Sequence, residues 1–299
     1  MSVKIRLGCR PSTLALIQAE QVKKKLLSHF PDITVDVIKI TTEGDIDQKS
    51  TLQQLGGKGV FIKAIEQQLL DRKIDAAVHS FKDITANIAA NTTLKAFLKP
   101  ESTSDCVVFK SPKIQSLKDL TEGCVVATSS LRRKLFLRQF YPHLDIVDIR
   151  GNVETRIGKC KSGFCDAVIL STAGLLRLNL EDEFAEELDP TQFVPAPGQG
   201  VVTIQTHKDD RLNSFFEAIS DPEQTYISNL EYFFLKQVGL NCNYPLGLHT
   251  TVKNNKVKFL LKWASEDMVN NYVENVECTK SNAEETISKL ANSVKSNLN

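Results

Sequence analysis

Six of the chain's ten arginines, Arg132, Arg133, Arg138, Arg150, Arg156 and Arg177, fall in one stretch of a sequence that is otherwise nearly neutral. Guanidinium forks match carboxylates in bidentate geometry, so a cluster of them suits a ligand bearing several carboxylates. Arg132 and Arg133 follow Thr128-Ser129-Ser130 directly after an apolar run. At such a place a small hydroxyl residue caps a helix while the first helical amides face an anion. Arg150 ends the next apolar run, and Arg156 begins the helical segment after it. In an open α/β sheet such strand ends border the ligand crevice. Taken singly, each arginine reads equally well as part of a solvated helix face with surface ion pairs. Taken together at successive strand ends, they read as a site.

A second cluster, Val78-His79-Ser80-Phe81-Lys82-Asp83, also closes an apolar run and sets a base beside an acid. The pair can hold an anion and manage a proton or a developing cation; an ordinary strand-end salt pair is the alternative. His79 reads as a packed strand residue, because no serine or cysteine nucleophile motif accompanies it. In Leu55-Gly56-Gly57-Lys58-Gly59 the glycines permit a loop presenting Lys58 to an anion, but Leu52 stands where a Walker motif needs glycine. No Gly-x-Gly-x-x-Gly fingerprint occurs, and Cys160 and Cys165 lack the partners of a zinc site, so neither a nucleotide nor a metal is expected. Cys242, in Leu240-Asn241-Cys242-Asn243-Tyr244-Pro245, lies in a polar turn outside any apolar run, where a thiol can be reactive.

The elements that position these residues follow from composition and periodicity. With 299 residues, 41% hydrophobic and 24% charged, the chain can bury more than one core, which excludes disorder and collagen-like order. A formal charge of +1 gives no global field for nucleic acid or an acidic membrane, so any polyanion site is local. Seven scattered cysteines do not form a disulfide scaffold, and a reducing compartment is expected. No signal-peptide pattern opens the chain and no segment approaches the ~20 apolar residues of a membrane helix, so a cytoplasmic location is expected.

Val3, Ile5 and Leu7 alternate as in a strand; Arg10-Pro11-Ser12 breaks the pattern, with Ser12 as helix cap, before Leu14 to Leu27 recur at helical spacing. A strand over Ile33 to Ile40, a helix near Val60 to Leu70 and a strand over Ile74 to Val78 complete β-α-β-α-β. The pattern restarts after Asp105, with strands at Cys124 to Ala127, Ile146 to Ile149 and Ala167 to Leu170. Val194 to Gly200 is turn-rich, and Val201 to Ile204 then reads as a strand rejoining the first unit through a double crossover. A third, α+β unit has a helix over Pro222 to Val238, strands near Leu246 to Val252, Val257 to Trp263 and Tyr272 to Val276, and a final helix over Ala283 to Leu298.

In order and spacing these motifs resemble the porphobilinogen deaminase (hydroxymethylbilane synthase) family. The residues carrying the likeness are Arg10-Pro11-Ser12, Gly56 to Gly59, Val78 to Asp83, Thr128 to Arg133, Arg150-Gly151-Asn152-Val153 with Thr155-Arg156, Ala173 to Arg177, Gly198-Gln199-Gly200 and the turn at Cys242. The resemblance implies an α/β fold: two related doubly wound α/β domains around a cleft, residues 1–98 with 199–217 and residues 104–193, and a smaller α+β C-terminal domain, 221–299, carrying the cofactor cysteine. It implies a transferase that joins four porphobilinogen molecules head to tail into the linear tetrapyrrole hydroxymethylbilane, releasing one ammonia per condensation. Growth would start on a dipyrromethane held by a thioether to Cys242. Each pyrrole bears an acetate and a propionate, so Arg10, Ser12, Lys58, Lys82, Thr128, Ser129, Arg132, Arg133, Arg150, Arg156 and Arg177 become the cofactor- and substrate-binding set. Asp83 becomes the catalytic carboxylate, stabilising an electron-poor azafulvene and moving protons. The partners implied are porphobilinogen and the growing oligopyrrole, with no nucleic acid or membrane, acting on a monomer.

The chain departs from the family at Leu240-Asn241, where many relatives have two glycines, at Glu43, often basic in bacterial relatives, and at Gln205, where an acid is common. The competing class is a noncatalytic two-lobed receptor whose arginine-lined cleft captures a small polycarboxylate. It accounts for the arginines but not for Lys82-Asp83 together with a tether at Cys242. An RNA-binding protein lacks the aromatic stacking motifs and the basic balance it would need.

Overall fold

The computed structural model describes residues 3–42, 59, 62–239, 244–265 and 267–297. Glu43, Leu55 to Lys58 and the turn at Leu240 to Asn243, with Cys242, lie outside the described residues. By contact density the chain forms two units, residues 1–100 with 201–229 and residues 101–200 with 230–299.

In the first unit the alternation from Val3 becomes β1 (Lys4–Cys9), followed by α1 (Thr13–His29), β2 (Thr34–Lys39), α2 (Lys63–Leu70), β3 (Ala76–Ser80) and β4 (Thr92–Leu98). The return strand β10 (Val202–His207) and α6 (Asn213–Ala218) belong to the same unit. The five strands lie in the order β2-β1-β3-β10-β4. β1, β2 and β3 are parallel, while β10 runs antiparallel to both β3 and β4, so residues 202–207 rejoin the first sheet as expected. Side chains of β1 and β3 pack Ile5, Leu7, Ala76 and Val78 against Ala19, Val22 and Leu26 of α1, and Ala77 packs against Ile65 and Leu69 of α2. Alternate residues of one strand therefore serve helices on opposite faces, which makes these runs apolar throughout.

The second unit repeats this plan with β5 (Asp105–Phe109), β6 (Val125–Ala127), α3 (Leu131–Phe140), β7 (Asp145–Val147), α4 (Val153–Lys161), β8 (Ala167–Ser171), α5 (Thr172–Arg177) and β9 (Glu186–Glu187). The order is β7-β6-β8-β5-β9, again three parallel strands followed by an antiparallel strand that enters from elsewhere in the sequence. Val107 and Ile169 face Leu135 and Phe136 of α3; Cys106, Val108, Val168 and Leu170 face Ile157 and Cys160 of α4.

Helix α7 (Pro222–Val238) has the bounds expected from its periodicity. The sheet β11 (Leu246–Lys253), β12 (Lys256–Ala264), β13 (Asn271–Thr279) is an antiparallel meander followed by α8 (Ala283–Ser296). Leu260 and Ala264 of β12 join the apolar cluster of α3 and Phe193, which is why this sheet groups with the second unit. Gly247 makes the approach possible: a Cβ there would lie 2.5 Å from the Val194 carbonyl oxygen, and the next amide, Leu248, donates to Pro195 at 2.9 Å. No helix among the described residues is long and apolar enough to cross a membrane.

Candidate active site

Each five-stranded sheet gathers candidate residues at the carboxyl ends of its parallel strands, the edge where open α/β sheets bind ligands. In the first sheet, Arg10 and Ser12 follow β1, and Ser12 caps α1 by accepting the Ala15 amide at 3.4 Å. Lys82 and Asp83 occupy a single 3-10 turn, Phe81–Asp83, directly after the neighbouring β3. That turn is anchored from within: Phe81 is fully buried and its amide donates to Val201 at 2.9 Å. Gln18 of α1 donates to Ser80 Oγ at 2.9 Å, which ties the helix after β1 to the end of β3.

His79, one turn from Asp83, is a packed strand residue as its sequence context suggests. The Gln205 amide nitrogen donates to Glu66 Oε1 and to Thr92 Oγ1, both at 2.8 Å, so its carbonyl oxygen faces His79 Nε2 at 3.2 Å as an acceptor. The imidazole is thus the neutral Nε2–H tautomer. Burial pushes its pKa down to about 4, against the opposing pull of Gln205 and Asp83. An acid at position 205 would face Glu66, and one of the two carboxyls would then need a proton.

In the second sheet, Thr128, Ser129, Arg132 and Arg133 follow β6, Arg150 follows β7 and Arg177 closes α5 after β8. The three hydroxyl residues have separate tasks. Ser130 caps α3 by accepting the Arg133 amide at 3.5 Å, Ser129 both accepts the Ile149 amide and donates to its carbonyl, and Thr128 is buried, its Oγ1 accepting the Ser130 amide.

Arg132 and Arg133 are buried rather than lying on a solvated helix face, and both converge on Asp105, which has no exposed surface. Arg133 Nη2 donates to Asp105 Oδ1 at 2.7 Å, and Nη1 donates to the Ile169 carbonyl. Arg132 Nη1 lies 2.8 Å from Asp105 Oδ2, an ionic contact without hydrogen-bond alignment, and donates to the Val194 carbonyl at 2.8 Å. Burial alone would push the Asp105 carboxyl up, but the two guanidinium charges hold it well below the usual carboxylate range. For Arg132 the balance runs the other way: burial lowers its pKa and Asp105 offsets only part. The Nε atoms of both arginines, and Nη1 of Arg150, are buried without a hydrogen-bond partner among the described residues.

Arg177 donates to the Gly200 carbonyl at 2.7 Å and pairs with Glu101 at 3.3 Å, so it ties together the two segments where the chain enters and leaves this unit. Arg156 Nε donates to the Gly151 carbonyl at 2.8 Å. Asp105 and Gln199 are the partners that sequence reasoning missed; the available signals were an acid opening a fully apolar strand and the motif Gly198-Gln199-Gly200. No metal-binding group of His, Cys, Asp or Glu occurs among the described residues.

Glu231 of α7 is also buried, and it accepts the Gly198 amide at 2.7 Å. Burial pushes its carboxyl up from 4.5 to about 7, against the pull of Gly198 and Thr250. The folded chain therefore takes up a proton between those values, so stability falls as pH rises from 4.5 through about 7 and is level above. Glu231→Gln keeps the acceptor and removes the charge. In urea unfolding its advantage over the wild type is expected to grow by about 2 kcal/mol between pH 5.5 and 8.5; a difference independent of pH would contradict the assignment.

The sequence profile of the family described as "Porphobilinogen deaminase, dipyromethane cofactor binding domain" matches residues 5–214. The chain is 40% identical over 261 residues to a porphobilinogen deaminase of Limosilactobacillus reuteri (strain DSM 20016), covering 87% of this chain and 85% of that one. It is 37% identical over 283 residues to that of Rickettsia prowazekii (strain Madrid E), covering 92% and 89%. Among solved structures, a VFT2 domain of Bordetella pertussis BvgS aligns at 15% identity with a TM-score of 0.43, over 76% of this chain and 92% of that one, a likeness too slight to bear on function.

Proposed function

The chain belongs to the porphobilinogen deaminase family, and from that premise we propose that Cys242 carries its dipyrromethane cofactor and that Asp83 is its catalytic acid and base. The activity is hydroxymethylbilane synthesis, the head-to-tail condensation of four porphobilinogen molecules with release of ammonia. The observation that carries the site assignment is the buried Arg132–Arg133 pair with two unpartnered Nε donors, together with an unpartnered buried Nη1 on Arg150, which follows the adjacent strand β7. A dipyrromethane bears acetate and propionate side chains, and donors of this kind fit carboxylates. When bound, the cofactor supplies an anchored pyrrole with a nucleophilic free α-carbon.

The chain's own residues divide the remaining work. Asp83, as the acid, donates a proton to the departing amine of porphobilinogen, which leaves as ammonia. As the carboxylate, it faces the positive charge left on the substrate and accepts the ring proton released when the carbon–carbon bond closes, which restores its starting state. Lys82 and Arg10, at the same sheet edge, hold substrate carboxylates, joined by Lys58; Ser12 caps the helix after Arg10, and Thr128 with Ser129 fix the turn that carries Arg132 and Arg133. Arg132, Arg133, Arg150, Arg156 and Arg177 neutralise the acidic side chains of the lengthening oligopyrrole. Four of the six other cysteines are buried, and burial pushes the Cys9 and Cys106 thiols up to about 11 and 12, which supports Cys242 as the tether. We further read the chain as a cytoplasmic monomer needing neither nucleic acid nor membrane, with domains at 1–98 plus 199–217, 104–193 and 221–299.

Incubation of the purified chain with porphobilinogen tests the activity: four ammonia are expected per hydroxymethylbilane, and substrate capture without ammonia would favour a receptor. Arg150→Leu tests the carboxylate clamp. Because Nη1 makes no hydrogen bond among the described residues, the variant is expected to keep its melting temperature while kcat/KM falls about a hundredfold. Arg132→Leu strips a guanidinium from buried Asp105 and is expected to lose about 3 kcal/mol of stability as well. Normal elongation by both variants would remove the arginines from ligand binding.

A further inference from the structure

Asp105, Arg132 and Arg133 form a buried cluster in which one carboxylate faces two guanidinium groups. One carboxylate against two guanidinium groups leaves the three residues with a formal charge of +1. Burying such a charge is costly unless an anion joins it, and the two unpartnered Nε–H groups are donors such an anion would need.

Gln199 completes the cluster without altering that count. Its amide nitrogen donates to Asp105 Oδ1 at 2.9 Å and to the Thr103 carbonyl at 2.7 Å, and its carbonyl oxygen accepts from Arg132 Nη2 at 3.2 Å. Gly198 and Gly200 on either side have φ of 73° and 83°, the left-handed region open to glycine. That backbone carries the Gln199 side chain, only 3% exposed, inward. A glutamate there would keep one oxygen at the same guanidinium group, while its other oxygen would face Asp105 Oδ1 and the Thr103 carbonyl in place of the amide donor. Two carboxylates would then balance two guanidiniums, and nothing would draw a third carboxylate in.

Resting on the reading that this pair binds pyrrole carboxylates, we propose that Gln199 is a positioning and specificity-determining residue: it orients Arg132 and Asp105 while adding no charge, so the pair keeps one positive charge for the ligand.

The test uses the full chain expressed in a pyrrole-producing host, with Gln199→Glu and the neutral Gln199→Met beside the wild type. Gln199→Glu is expected to melt below the wild-type temperature, because a carboxylate oxygen then faces Asp105 Oδ1 and the Thr103 carbonyl where the amide donated. Its KM for porphobilinogen is expected to rise about thirtyfold and its two-pyrrole adduct, read by intact mass, to fall to about a tenth of chains. Gln199→Met loses the amide bonds but keeps the charge, so its KM is expected to rise only about threefold with the adduct intact. The proposal is overturned if Gln199→Glu matches the wild type in KM and adduct, or if Gln199→Met loses as much as Gln199→Glu. Should Gln199→Glu fail to fold, Asp105→Asn reads the count from the other side: a net charge of two should hold acidic chains longer, seen as enrichment of stalled multi-pyrrole masses, and their depletion would count against it. A wild type without adduct or turnover tells instead against the underlying assignment of function.

Discussion

Cys242→Ala is expected to emerge from a pyrrole-producing host bare of any adduct and to turn porphobilinogen over at least about a thousandfold more slowly than the wild type. The effect is large because the tether is covalent: without it, every intermediate must be held by charge alone through successive condensations. A thioether suits that task, since sulfur attacks an electron-poor carbon readily and then leaves poorly. Cys242→Ser is expected to be bare too, because a hydroxyl remains protonated where a thiol ionises in part. None of the buried cysteines can substitute, since Cys9, Cys106, Cys160 and Cys165 are enclosed by the strand and helix packing that forms the two sheets' cores. Adduct on the alanine variant at wild-type level would move the tether elsewhere.

Asp83→Ala has the second large effect and separates assembly from turnover. The adduct is expected to be present, while kcat falls by about a thousandfold, the range of a lost general acid–base group that also faces developing charge. Asp83→Glu keeps the carboxyl but extends it by one methylene from the anchored Phe81–Asp83 turn, and about a tenth of activity should remain. Because Phe81 and Ile84, not Asp83, bury the apolar surface of this turn, both variants should melt near the wild-type temperature. Near-normal turnover by Asp83→Ala would remove the carboxylate from the mechanism.

Where the pattern is long and periodic, the fold is legible from the residues. Pro222 to Val238, the meander from Leu246 and the return of residues 202–207 to the first sheet all follow from apolar spacing and turn residues. β13 runs to Thr279 rather than stopping at Val276, because the alternation of exposed and half-buried residues continues through Glu277, Cys278 and Thr279 along this sheet edge. The short elements α5, α6 and β9 carry too few residues to show a period and form through tertiary contacts. The arginines stood out by their number, but what each one meets did not. Arg132 and Arg133 meet Asp105 only because β5 arrives antiparallel beside β8, and Arg177 meets Gly200 only because the return segment passes α5. Such pairings join residues far apart in sequence, and periodicity has nothing to say about them. The contact between Gln199 and Asp105 is of the same kind: the motif Gly198-Gln199-Gly200 marked the position, and only the packed structure supplied its partner.

Intact-mass measurement of the wild-type chain, before and after one to three equivalents of porphobilinogen and under denaturing conditions, bears most directly on the covalent starter. The account predicts a resting mass above the sequence mass by two linked pyrroles, a ladder of further single-pyrrole increments as substrate is added, and fragment spectra that localise every increment to the peptide containing Cys242. A resting chain at its bare sequence mass, or increments borne by a peptide lacking Cys242, would contradict it.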